Sequence, residues 1–241
     1  MAFVHGKGSK TLINEYDLSA YFNNADLPRE VDAVEVTTFG DSDREYIVGL
    51  RNSTMSLSGF WDASSSITPD EVLPADLGNA TPILVTYAPN GLTVGRITYS
   101  IRAYQTAYNV TGPVDGPASI TLDLQGSQEV SRGVSLANLS AITCDGSGTV
   151  VDQGAASSGA VAYLHVTDVN LSATGHFVVT VQDSPSSSGG AWADLITFAD
   201  ITSSTPSAER SSVTGNADKA VKAEWTIPST GSATFAVAFA R

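Results

Sequence analysis

Few residues of this 241-residue chain are suited to nucleophilic or metal chemistry: one cysteine, Cys144, and three histidines, His5, His165 and His176. His165 stands three residues before Asp168 with Cys144 upstream, the residue types of a Cys/His/Asp nucleophilic set. On a strand, residues three apart point to opposite faces, so this spacing does not build a shared site. Cysteine and histidine show no zinc-ligand spacing. Asp41-Ser42-Asp43-Arg44-Glu45 places acids at alternate positions, as oxygen-rich calcium loops do, but lacks the glycine and distal glutamate of an EF-hand. It reads as a solvated or partner-facing charged loop. Gly6-Lys7-Gly8-Ser9-Lys10 has the residues of a phosphate cradle without the GxxxxGK[ST] spacing. Paired carboxylates for glycoside hydrolysis stay open, because two acids can meet from any two strands. With no catalytic constellation to name, the expectation is a protein that is not an enzyme and uses no cofactor or metal.

Charge narrows the partners. The formal net charge is −13, with 8 bases and 16 acids in residues 1–133 and 4 bases and 9 acids in residues 134–241. A field spread over both halves repels a phosphate backbone, since DNA binding rests on Lys and Arg releasing counterions. DNA near this chain is tolerated rather than gripped. A lone cysteine forms no internal disulfide, so assembly in a cytosol is expected. The first ten residues lack the apolar core of a signal peptide and nowhere do 18 apolar residues run together, so no membrane partner is expected.

The elements that must position any site are strands. Lys10–Asn14, Leu18–Phe22, Ala33–Phe39, Tyr46–Leu50 and Ile83–Tyr87 are short apolar or β-branched segments between turns. In Thr54–Trp61, Met55, Leu57, Gly59 and Trp61 share one face and Thr54, Ser56 and Ser58 the other. Gly95–Tyr108 sets Ile97, Tyr99, Ile101, Ala103 and Gln105 against Arg96, Thr98, Ser100, Arg102 and Tyr104. It is expected to pair antiparallel with Ala118–Leu124, where Ile120, Leu122 and Leu124 oppose Thr121 and Asp123. One helix is expected in Thr68–Gly78, short or split because of Pro74. Beyond Gly133, Ala160–Val169, Phe177–Val181, Ala191–Phe198, Ala220–Ile227 and Thr234–Phe239 read as strands, and Val134–Gly159 has room for one or two more. The fold expected is all-β: an N-terminal antiparallel β-sandwich with one short helix over residues 1–133, then a second β-sandwich over 134–241. Trp61, Trp192 and Trp225 are expected as core plugs; exposed, Trp192 or Tyr104 would suit stacking on sugar rings.

Several segments resemble the major tail proteins, or tail tube proteins, of long-tailed bacteriophages. They are Val4–Asn14, Asp17–Tyr21, Arg29–Gly40, Tyr46–Leu50, Thr54–Asp62, the short helix, Tyr108–Gly116 and Ile120–Leu124, covering about residues 1–130. Trp192–Phe198 and Ala233–Arg241 resemble C-terminal β domains of phage virion proteins. The resemblance implies a tail-tube-like N-terminal domain and a structural virion protein of the tail, assembled in the host cytoplasm. Its copies would close into rings, hexameric or trimeric and pseudo-hexameric, stacked into a tube with other tail proteins. DNA would pass through the lumen without specific binding. Under that reading, Thr54, Ser56, Ser58, Arg96, Thr98, Ser100, Arg102, Thr121 and Asp123 lie on the strands of the tube wall. Lys7 and Lys10 on the arm Ala2–Lys10, with Asp41, Asp43, Arg44 and Glu45, make ring-to-ring contacts. Residues 134–241 either face outward or add a second wall domain. The alternatives are a capsid decoration protein of a phage head and a carbohydrate-binding β-sandwich module.

Overall fold

The computed structural model describes residues 6–64, 67–172, 175–187 and 190–241. In chain order the strands are β1 (Lys10–Ile13), β2 (Tyr16–Asp17), β3 (Phe22–Asp26), β4 (Arg29–Glu35), β5 (Tyr46–Phe60), β6 (Ile83–Ala88), β7 (Ile97–Thr111), β8 (Ser119–Gly126) and β9 (Ser131–Ile142). They continue with β10 (Gly146–Ser147), β11 (Val151–Asp152), β12 (Ser157–Asn170), β13 (Val178–Ser184), β14 (Ala193–Thr197), β15 (Ser207–Ala217), β16 (Ala220–Thr226) and β17 (Ser232–Ala240). One helical turn, α1 (Pro69–Val72), runs into a 3-10 turn at Pro74–Asp76. The expected short helix is thus split at Pro74, and the Thr68 hydroxyl makes no cap bond to it. The chain is all-β and forms two compact units. One comprises the residues through Ala20, Leu84–Ser100 and Ser131–Arg241; the other comprises Tyr21–Ile83 and Ile101–Val130.

In the first unit two antiparallel sheets face each other. One runs in the order β15-β12-β17-β9 and continues through the start of β7 to β6, β1 and β2; the other joins β10 and β11 to β16, then β13 and β14. Between them lies a core of Leu136, Leu164, Val166, Phe177, Val181, Val237 and Phe239 among others. Phe235 meets Phe177 and Trp225 edge-on at 5.3 and 5.4 Å, a geometry that aligns ring edge with ring face. Every member of this core lies between Leu136 and Phe239. β1 and β6 add to one of these sheets, so the compact unit is discontinuous in sequence, whereas the sequence suggested a single break at Gly133.

The middle strands of that sheet are covered on both faces. On β17, Phe235, Val237 and Phe239 enter the sandwich core, while Ala236 packs with Leu12, Ala88 and Leu92 and Ala238 packs with Leu84 and Tyr163. Unbroken apolar runs such as Phe235–Ala240 are what a doubly buried strand requires. His165, fully buried on β12, belongs to the second of these faces. Its Nδ1–H donates to the Asn14 carbonyl at 2.7 Å, and its Nε2 accepts from the Thr86 hydroxyl at 2.8 Å. Thr86 in turn lies 2.8 Å from the Ser100 hydroxyl. Asn14, at φ +49°, uses its side chain to accept the Leu84 N–H, a conformation that asparagine tolerates better than most residues. His165 is thus a packing element; Asp168 sits past a bulge and is exposed, and Cys144 is exposed elsewhere.

In the second unit β5 is central. It pairs with β3, β4 and β8, and β8 pairs with the later part of β7. Met55, Leu57 and Gly59 stand opposite Leu124, Leu122 and Ile120, all buried. A Cβ on Gly59 would fall 2.0 Å from the Tyr21 carbonyl oxygen, so only glycine lets the chain entering β3 approach this closely. Tyr108, level with Leu122, reaches from this face to donate a 3.0 Å hydrogen bond to Asp70 of α1. The helical turn thereby covers the apolar side. Burial, reinforced by the Asp70 bond, holds the Tyr108 phenol above its ordinary pKa and keeps it a donor.

The buried imidazole generates a pH dependence. Burial pushes the His165 pKa down from 6.5 to about 4, against a smaller upward pull from the Asn14 carbonyl. Between those values the unfolded chain binds a proton that the folded chain refuses, so stability falls as pH drops from 6.5 toward 4 and gains nothing above 6.5. Urea unfolding at pH 7 and 4.5 should show the wild type losing about 2 kcal/mol more than His165→Gln over that interval. Equal losses in the two proteins would contradict this placement of the imidazole.

Candidate assembly surface

Apart from Val114, the most exposed large apolar residues of the described chain lie on one element. β4 and the first half of β5 form a two-stranded ribbon in register from Arg29↔Ser53 to Glu35↔Tyr46, interrupted by a bulge where Gly49 and Leu50 oppose Asp32. Every residue of β4 is exposed. Val31, Val34, Tyr46 and Ile47 are each about half exposed, Val48 and Leu50 are about 80% exposed, and Phe39 at the tip is fully exposed. The sequence alternates charge and apolar side chains as a half-buried strand does, yet here neither face is covered within the subunit. An isolated two-stranded ribbon is marginal in water, and its outer edge offers unpaired N–H and C=O groups. Among the described residues β4, like β3, pairs with β5 alone.

The tip is ordered by its own polar groups. Val36 N–H donates to Glu45 O at 2.9 Å, closing the ladder. Asp41 accepts from Thr38 N–H and Thr38 Oγ1 at 2.6 and 3.0 Å, and Arg44 lies 3.7 Å from Glu35. Asp41 thus serves the turn itself, while Asp43 and Glu45 remain exposed at the end of the ribbon. Between Arg29 and Arg51 the chain carries six acids and three arginines.

A second surface lies on the polar side of β5, β8 and β7. Ser56 faces Asp123 and donates to it at 2.7 Å; Ser58 faces Thr121, and Thr54 faces Gln125, which also faces Tyr104. Arg102 shares this side. Six of the nine residues expected on wall strands therefore stand together, half-exposed, on one face: Thr54, Ser56, Ser58, Arg102, Thr121 and Asp123.

The other three do not. Thr98 and Ser100 are buried and Ile97 is exposed, the reverse of the expected facing. The cause lies in β7: Ile97–Ser100 pair with β9, whereas Ala103–Thr111 pair with β8, and the buried face changes as the pairing partner changes. Arg96 precedes the strand, in an exposed turn. Lys10 belongs to the first unit and is committed to Asp17 at 2.8 Å; Lys7 lies in the same unit, in a 3-10 turn at Gly6–Gly8. Ala2–His5 of the expected arm, including the first residues of the resemblance, fall outside the described residues. Of the three expected core plugs, Trp225 is half-buried and packs against the sandwich core, whereas Trp61 is 40% exposed and Trp192 is half-buried outside that core. Trp192 holds Lys222 over its ring at 4.8 Å, and Trp225 donates its indole N–H to Cys144 O.

No family model matches this chain, and no curated protein matches it. Among solved structures it is similar to the tail of an empty gene transfer agent particle, at TM-score 0.40 and 18% identity over 54% of this chain and 98% of that one. The SPP1 tail tube is similar at TM-score 0.44 and 11% identity, over 53% of this chain and 78% of that one. The SPP1 Dit protein is similar at TM-score 0.37 and 10% identity over 95% of this chain and 98% of that one. The functional reading rests on the ribbon and its edges, not on these similarities.

Among the described residues two buried side chains of β7 carry unsatisfied polar atoms, Thr98 at its hydroxyl and Gln105, on the face opposite the polar surface, at its amide. Gln105 is 4% exposed, and neither its amide nitrogen nor its oxygen has a hydrogen-bond partner among the described residues. Gln105→Leu removes that desolvation cost at similar volume and should raise stability by roughly 1–2 kcal/mol in urea unfolding. A loss of stability would mean that the amide is bonded after all.

Proposed function

We propose that this chain is a structural subunit that self-assembles into stacked rings forming the tail tube of a phage-like virion, the conduit through which DNA leaves. The observation that carries the reading is the ribbon: a strand pair roughly 20 Å long, extended at about 3.3 Å per residue, with apolar side chains and an open backbone edge on the same element. Soluble monomers rarely expose such a patch, and identical copies that bury it in one another remove the aggregation hazard. A heterologous contact of this kind, repeated around an axis, closes into a ring or continues as a filament.

The polar side of β5, β8 and β7 supplies the wall facing the lumen, with Ser56, Ser58, Thr121 and Asp123 presenting hydroxyls and a carboxylate. With a net charge of −13, the chain offers a polyanion no grip. DNA slides through such a lumen without being held. The resemblance of residues 1–130 to tail tube proteins agrees with this assignment, and the tip Asp41–Glu45 reaches the neighbouring copy.

Deleting Asp41–Glu45 should leave a subunit with an unchanged unfolding temperature that no longer polymerises. Negative-stain microscopy and sedimentation of the wild type should show rings or tubes, and of the deletion only free subunits. Normal tubes from the deletion would overturn the role of the tip. A wild type seen only as isolated knobs on an icosahedral head would overturn the tube and favour a decoration protein.

A further inference from the structure

Among the described residues the side-chain bonds that tie the ribbon to its own unit gather at its foot. Arg29 opens β4 and Arg51 lies on β5, at successive positions on one face of the ribbon's foot. Both guanidinium groups donate to a single carboxylate: Arg29 Nη2 to Glu129 Oε1 at 3.0 Å, and Arg51 Nη1 to Glu129 Oε2. Glu129 sits between β8 and β9, and its neighbour Val130 donates its N–H to Ser53 Oγ at 3.3 Å. From β8, Gln125 adds a 3.0 Å bond to Asn52 Oδ1. Beyond this foot, the hydrogen bonds of the ribbon among the described residues run within it, in the β4–β5 ladder and the tip.

We infer that Glu129 is a clasp, a positioning residue that joins both strands of the arm to the body of its unit and sets the direction in which the arm meets the next copy. The inference rests on the assembly role proposed above. Its physics is that of a lever: a ribbon held only at its base transmits any looseness there to its tip. One carboxylate shared by guanidinium groups from both strands resists rocking as well as lift, because each oxygen holds a different strand. Burial raises the Glu129 pKa, but the bonds from Arg51 and then Arg29 outweigh it, and the net shift is downward, so the clasp stays charged across the neutral range. The partly exposed setting keeps the clasp weak enough to be adjusted by salt.

The test compares the full-length wild type with Glu129→Gln and Glu129→Asp. Hydrogen exchange on free subunits should show amides of Val31–Glu35 and Tyr46–Leu50 exchanging about five-fold faster in Glu129→Gln, with the rest of the chain unchanged. Sedimented polymer at fixed concentration should fall about five-fold, and Glu129→Asp should recover most of both effects. Should Glu129→Gln misfold, Arg29→Gln with Arg51→Gln asks the same question and leaves the carboxylate in water. Unchanged exchange in the ribbon would overturn the clasp, as would faster exchange with undiminished polymer. If the wild type itself never polymerises, the tube reading fails, and exchange in the ribbon alone decides whether Glu129 orders the arm.

Discussion

A strand edge with apolar side chains must find a partner, and on this chain that demand falls on β4. Backbone N–H and C=O groups left open beside Val31 and Val34 are a standing invitation to pair, because water satisfies the polar groups but not the side chains. Small devices seen elsewhere blunt such edges: prolines, short strands, inward charges. Here the strand is seven residues long and free of proline. The charges that alternate with its valines face water and leave the edge open.

The contrast with the first unit is energetic. There β12 and β17 are buried on both faces, the sandwich core is aromatic and aliphatic, and even a histidine is sealed in with its hydrogen bonds complete. Each large side chain so enclosed contributes on the order of 1.5–3 kcal/mol. The ribbon has none of that enclosure and persists through its ladder, its ordered tip and the bonds at its foot. The second unit has its own buried core at Met55, Leu57, Leu122 and Leu124, and the open surface is confined to its arm.

Much of this was legible in the residues. Period-two alternation located β8 and the later half of β5 with their faces correct, and the antiparallel partnership of β7 with β8 followed from matched alternation. Thr234–Phe239 read as a strand, but its burial on both faces comes from packing that the local pattern did not announce. Other features lie beyond local pattern. Thr98 and Ser100 alternate as if on a wet face, and only the change of pairing partner along β7 buries them. β15 was invisible because its Ser/Thr/Arg/Glu composition suits an exposed edge strand, and β9 was blurred by small residues. Tyr46–Leu50 and Thr54–Trp61 read as two strands where one long strand runs through, since the polar Arg51–Ser53 that separates them is the foot of the ribbon. The split of the compact units hinges on β1 and β6 joining a sheet built from distant residues, a pairing that sequence spacing does not encode. Glu129 carried no signal at all; its meaning comes from two arginines brought to it by the register of β4 on β5.

The claim at the centre is that a neighbouring copy supplies what the arm's backbone lacks. Hydrogen exchange of Arg29–Glu35 in assembled particles, set against the free subunit, measures this directly. The account predicts amides on β4 that exchange quickly in the free chain and become strongly protected on assembly. Equal exchange in the two states would contradict it.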